Sequence, residues 1–245
     1  YMEFKLPTET VELPSKGLLY PEGHPLASGT VEMKYMTAKE EDILTNQNYI
    51  KNGTVIDKLL QSLLITEFDY GDLLVGDKNA IMVAARVLAY GKDYEFEYDG
   101  EQHTADLSTL EHKDIDLSEA KRGETQFTFE LPHTGNVITF KLLTHKDEKL
   151  IDQEVRGLQK INKDNSSEVT TRLKHMITSI NGSSEKKDVR TFVEGYLLAK
   201  DARALREEYS RVSPDINLTF TYENSRGEDQ EASIPIGVTF FWPDA

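Results

Sequence analysis

A chain of 245 residues with 43 acidic and 28 basic side chains carries a formal charge of −15. Phosphate-backbone recognition relies on clustered Lys and Arg, so nucleic acid is not the expected partner and a basic protein surface is. The absence of cysteine excludes disulfides, a thiolate nucleophile and Cys-based zinc sites. No window approaches the roughly 18 uninterrupted apolar residues that span a bilayer, and the N-terminus lacks a basic-then-apolar signal pattern. The expectation is a soluble chain made in a cytosol.

In chain order, residues 1–30 hold four of the eight prolines and show neither a 3.6 nor a 2 period, which predicts an extended arm with turns. That arm is too apolar for a solvated tail: Phe4, Leu6, Val11, Leu13, Leu18, Leu19 and Tyr20 should lie on something, either the chain's own lobe or a neighbour. Val31, Met33 and Tyr35 alternate with Glu32 and Lys34, the pattern of a half-buried strand. Helices are then expected over about 38–46, from Thr54 through Leu64, and from Lys78 to Tyr90 with Asp77 as N-cap. Residues 46–53 read as a polar turn. Tyr94 to Tyr98 alternates, Asp99-Gly100 is a two-residue hairpin signal, and Glu101 to Leu107 returns.

The polar stretch 108–124 reads as a join, after which the order repeats. Strands are expected over 125–131 and 137–143, with helices over 145–161, 168–180 and from about 185 to 209. A last hairpin, 216–222 with 231–236, precedes the apolar run Ile234 to Trp242. The repetition reaches individual residues. Setting Met33–Leu44 over Phe140–Ile151 matches Lys34 with Lys141, Thr37 with Thr144, Lys39 with Lys146 and Glu41 with Glu148. Leu13-Pro14-Ser15-Lys16-Gly17 precedes the first copy and Leu131-Pro132-His133-Thr134-Gly135 the second. In both, a Thr N-cap is followed by an acid at the third helical position, Glu40 or Asp147, which is a capping box.

The expected fold is therefore α+β: two similar lobes from an internal duplication, each a short strand or hairpin, about three helices and a closing β-hairpin, with extended N- and C-terminal arms. The boundaries are an arm 1–30, a first lobe 31–110, a linker 111–124, a second lobe 125–237 and an aromatic tail 238–245.

Catalytic constellations do not assemble. No two of the six histidines stand at the i, i+3 or i, i+4 spacing of a metal pair, and His103, His112 and Asp106 are better read as polar residues beside a hairpin. Paired carboxylates such as Glu40-Glu41 and Glu207-Glu208 suit solvated helix faces. The Gly71 to Lys78 stretch lacks the phosphate-loop pattern, and Asp72 and Asp77 would repel phosphate. No cofactor is expected. The residues singled out are instead apolar anchors: Phe240, Phe241 and Trp242 near the C-terminus fit either a last strand of the second lobe or an arm that docks in a partner.

The LPSKG turn, the MTAKEEDIL join, the stretch VGDKNAIMVAARVLAYGKDYEF, the LTHKDEK join, the DARALR segment and the closing IPIGVTFFWPD together resemble a baseplate protein family of T-even-type contractile-tailed bacteriophages. The resemblance runs from about residue 11 to 244, and its motifs are structural rather than catalytic. It implies a non-enzymatic virion component of the baseplate hub, made in the host cytoplasm, with other tail proteins as partners. It also admits a transient hub-assembly chaperone; a cell-envelope hydrolase is the third reading. Some relatives are expected to carry Cys pairs near the first hairpin that could hold a metal, whereas Asp99 to His103 fills that region here without a cysteine. The partner-binding candidates are Phe4, Leu6, Val11, Leu13, Leu18, Leu19, Tyr20, Phe240, Phe241 and Trp242.

Overall fold

The computed structural model describes residues 2–118, 120–164, 166–236 and 240–242. The fold is α+β, with eight α-helices and four small antiparallel sheets among the described residues. In the first half, β1 (Thr8–Glu12) pairs with β2 (Thr30–Lys34). Four helices follow: α1 (Ala38–Leu44), α2 (Gln47–Asn52), α3 (Val55–Leu63) and α4 (Val75–Tyr90). The hairpin of β3 (Asp93–Tyr98) and β4 (Glu101–Asp106) closes it. Its turn residues Asp99 and Gly100 both have positive φ, 53° and 77°, as the two-residue primed turn requires.

The second half starts from β5 (Gln126–Glu130) and β6 (Val137–Lys141). Helices α5 (His145–Ile161) and α6 (Glu168–Met176) lead to β7 (Ile177–Ile180), which joins the other edge of β6. Then come α7 (Lys186–Gly195), α8 (Ala199–Val212) and the hairpin of β8 (Thr219–Glu223) with β9 (Asp229–Ser233).

Three sets of polar contacts recur in the two halves. The Thr37 amide donates to Glu40 at 2.9 Å and Lys34 pairs with the same carboxylate. The Thr144 amide donates to Asp147 at 3.0 Å, and Lys141 pairs with it at 2.9 Å. The turn after β1 is held by Asp77, the third residue of α4, which accepts from the Ser15 amide at 3.0 Å and hydroxyl at 2.7 Å. The turn after β5 is held by Asp201, the third residue of α8, which accepts from the His133 amide at 2.9 Å and the Thr134 hydroxyl at 2.8 Å.

Both halves feed one apolar core, in which Leu59, Ile81 and Tyr94 join Phe140, Leu205 and Phe240. The approach is close. A Cβ added to Gly76 would meet the Pro214 carbonyl oxygen at 1.7 Å, so only glycine lets α4 pass this backbone. Nearby, Asn79 donates to Asp215 at 3.1 Å and the Lys113 amide to the Asp215 carbonyl at 2.8 Å.

Several elements differ from the sequence expectation. Residues 47–52 form a helix where a turn is expected, because the Asn46 side chain accepts from the amides of Asn48 and Tyr49 and Gly53 closes the end in the left-handed region. Ile177–Ile180 is a strand rather than the end of a helix. Its β-branched Ile177, Thr178 and Ile180 suit the pleated edge of β6, and Asn181-Gly182 turns the chain at positive φ. Asp77 is not the cap of α4 but its third residue, since Leu74 takes the cap position and the carboxylate is used by Ser15 and Tyr20.

The stretch read as an N-terminal arm divides. Residues 8–12 are in a sheet, Pro25–Ser28 form a 3₁₀ turn, and Leu13, Leu19, Tyr20 and Leu26 are buried. Residues 2–6 lie exposed ahead of the strand ladder.

The capping carboxylates set an acid response. Burial raises the Glu40 carboxyl, but donors from Lys34, Thr37 and Ser62 outweigh it and hold the group at about 2 against an ordinary 4.5. Glu40 then contributes about 3 kcal/mol above pH 4.5, lost as pH falls from 4.5 towards 2. Chemical denaturation across that window should show a shallower loss of stability in Glu40→Gln than in the unaltered chain; equal slopes would contradict this assignment.

Candidate protein-protein interface

The apolar anchors read from the sequence separate by burial. Met2, Phe4 and Leu6 are 82%, 84% and 54% exposed, and they alternate with Glu3 and Lys5 in the period of a strand. Val11 and Leu18 are half-buried. Leu13, Leu19 and Tyr20 are inside the core. There the Tyr20 hydroxyl donates to Asp77 at 2.7 Å and accepts from the Leu74 amide at 3.0 Å.

The C-terminal aromatics are core as well. Phe240 is 0% and Phe241 2% exposed, and Phe240 meets the Tyr94 ring edge-on with centroids 5.0 Å apart. The half-buried Trp242 donates its indole N–H to the Leu44 carbonyl at 3.1 Å. Of the aromatic tail read over 238–245, Val238, Thr239 and residues 243–245 lie outside the described residues. Burial of Phe240 and Phe241 within their own chain takes these two out of a neighbour's reach, while Trp242 keeps part of its surface exposed. Phe4 and Leu6 stay within that reach, and Met2 joins them.

Two clefts stand out among the described residues. The larger, about 690 Å³, opens between the loop after α3 and the start of α5, beside the junction of the halves. Behind two of its lining residues, Tyr70 and His145, Asp57 accepts from the Tyr70 hydroxyl at 2.8 Å and pairs with Lys78 at 2.7 Å, and His145 lies 3.4 Å from the Lys78 amine. Burial lowers the His145 pKa, and burial together with the Asp57 charge raises that of Tyr70. The Asp57 carboxylate therefore has its charge met by Lys78 and a hydroxyl, which suits a joint better than a proton-transfer site. Main-chain bonds confirm the joint: the His145 amide donates to the Leu73 carbonyl and the Val75 amide to the Leu143 carbonyl. Sequence reasoning missed the cluster because its members come from four separate elements.

The second feature, about 520 Å³, is a groove between β1 and α4. Its floor is Ala80, Val83, Ala84, Val87 and Leu88, spaced i, i+3, i+4, i+7 and i+8 along one face of α4. Although α4 is apolar around its middle, Ala84, Val87 and Leu88 are only half-buried and line this groove.

The other constellations stay apart. His103 lies among Phe96, Tyr98, Phe220 and Tyr222, Asp106 accepts from Ser108 and pairs with Lys92, and His112 bridges to Ile216. Among the described residues, no group of three or more His, Asp and Glu could hold a metal ion. None of their helices is long and apolar enough to cross a membrane.

Core and surface aromatics should separate in a stability measurement. Phe241→Ala is expected to cost about 3–5 kcal/mol, and Phe4→Ala to change stability by less than about 0.5 kcal/mol. Denaturant unfolding reads both, and comparable losses would contradict this division.

Comparison with curated proteins and with solved structures gives no match. A family model does match, that of the T4 bacteriophage base plate protein, over residues 7–242. That span takes in every strand and helix described above, and the chain belongs to this phage baseplate family.

Proposed function

We propose that the chain is a resident structural component of the hub region of a contractile-tail baseplate and works by protein–protein binding without a catalytic step. The observation that carries this is the exposed apolar arm, Met2, Phe4 and Leu6, on a chain whose other large aromatics near the C-terminus are packed inside. An apolar side chain left in water gains on the order of 1.5–3 kcal/mol when covered, and ordering each arm residue costs about 1–2 kcal/mol of backbone entropy. The two are comparable, so the arm is held only when its side chains find a well-fitting surface. The folded halves act as a rigid spacer behind it. The charge of −15 favours a basic surface among the neighbours.

The internal duplication belongs to the same proposal. It is supported by the matched capping boxes at Thr37 and Thr144 and the matched turn clamps at Asp77 and Asp201. Two related units in one chain would offer two quasi-equivalent surfaces to an assembly.

The test replaces the arm's apolar side chains in a phage that depends on this protein. Phe4→Glu with Leu6→Glu should leave the purified chain's stability unchanged and lower its amount in purified particles by roughly tenfold or more. Normal incorporation of this variant would overturn the reading. Incorporation into assembly intermediates with absence from finished particles would overturn residence and favour the chaperone role.

A further inference from the structure

The groove beside β1 has the features of a strand-acceptor site. At the two ends of the ladder, the Tyr35 amide donates to the Pro7 carbonyl at 3.2 Å and the Leu13 amide to the Gly29 carbonyl at 2.8 Å. Antiparallel pairing alternates along a strand, so Glu9 and Val11 also turn their backbone groups to β2. Thr8, Thr10 and Glu12 turn theirs the other way, along an edge that no further strand among the described residues covers in this two-stranded sheet. Beside that edge lies the apolar stripe of α4, with Ile216 beyond it. An added strand would satisfy the open backbone groups and set alternate side chains on the stripe.

The second half supplies an internal comparison. Setting Asp77 over Asp201 places Val83, Ala84 and Val87 of α4 on Glu207, Glu208 and Arg211 of α8. Glu207 and Arg211 are exposed there. Helix α8 keeps the buried Leu205 opposite Ile81, so the unit folds with a charged face at these positions. The apolar face on α4 is thus more than its repeat unit needs.

We propose that this groove receives the arm, residues 2–6, of a second copy of the chain. The arm carries the complementary pattern, since Met2, Phe4 and Leu6 share one face of an extended strand and are exposed. Glu3 and Lys5 lie between them and cancel in charge, so the fit to a groove edged by Glu9 and Glu12 rests on the apolar face and the open backbone groups. The arm does not serve its own groove. Pro7 still belongs to the β1–β2 ladder, so a reversal there would put Leu6 in the turn and Phe4 against Pro7, short of Val11 and Val87. Both parts of the contact are present in one sequence, yet they meet only between molecules.

This inference rests on the reading of the arm as an assembly contact, and the two can fail separately. Particle incorporation tests that reading; association of purified full-length chains tests the inference. The chain has no cysteine, so Leu6→Cys and Val87→Cys chains can be mixed and oxidised. The expected product is a disulfide heterodimer between them, in excess over that formed when Arg211→Cys replaces Val87→Cys. In sedimentation, Val87→Glu should weaken self-association by roughly tenfold or more. Because each copy carries −15, association through apolar and main-chain contacts should strengthen as salt screens the repulsion.

A monomer at every attainable concentration, with no preferred cross-link, would overturn the proposal. So would closure of the disulfide within a single Leu6→Cys/Val87→Cys chain at high dilution. A groove that cross-links in particles only to a different tail protein would overturn the assignment to a second copy.

Discussion

The buried carboxylate of Asp77 organises the first half and ties it to the body of the fold. From the third residue of α4 it takes the amide and hydroxyl of Ser15 and the hydroxyl of Tyr20, whose oxygen in turn accepts from the Leu74 amide. This fixes the turn that follows β1 and sets the start of α4 in one step. The same start brings Gly76 against the Pro214 backbone, where no side chain would fit. Desolvation raises the Asp77 pKa despite the donors around it, while at Asp201 the donors from His133 and Thr134 outweigh desolvation and lower it. Two carboxylates in matching places thus differ in balance: at Asp77 desolvation outweighs the donors from Ser15 and Tyr20, and at Asp201 it does not.

Much of this was legible from local chemistry. Helix α5 starts at His145 and ends at Ile161, the limits expected from Thr144 and Asp147 as a capping box and from its apolar stripe. The hairpin at Asp99-Gly100 follows from the two residues that tolerate positive φ. Signals of this kind depend on neighbours three or four residues away, and the sequence displays those directly. The role of Asp77 was not legible, because its partners Ser15 and Tyr20 lie 62 and 57 residues distant.

Long-range packing also decides what an apolar residue means. Leu13, Leu19, Tyr20, Phe240 and Phe241 demand burial, but composition does not say whether their own chain or a neighbour supplies it. The chain supplies it for these five. Phe4 and Leu6, identical in kind, are left in solvent because Pro7 is the last residue that the β2 ladder holds. The groove on α4 had a partial signal, the unbroken apolar run around Ala80 to Ala85; its openness depends on β1 and Ile216, which sequence spacing does not place.

The chain belongs to the phage baseplate family and has one core shared by both halves, and under the proposed function its exposed apolar arm is what neighbours hold. The most direct measurement is quantitative mass spectrometry of the protein in finished particles beside assembly intermediates. The account predicts a fixed, small copy number per finished particle, equal to or above that in the intermediates. Presence in intermediates with loss from finished particles would contradict it.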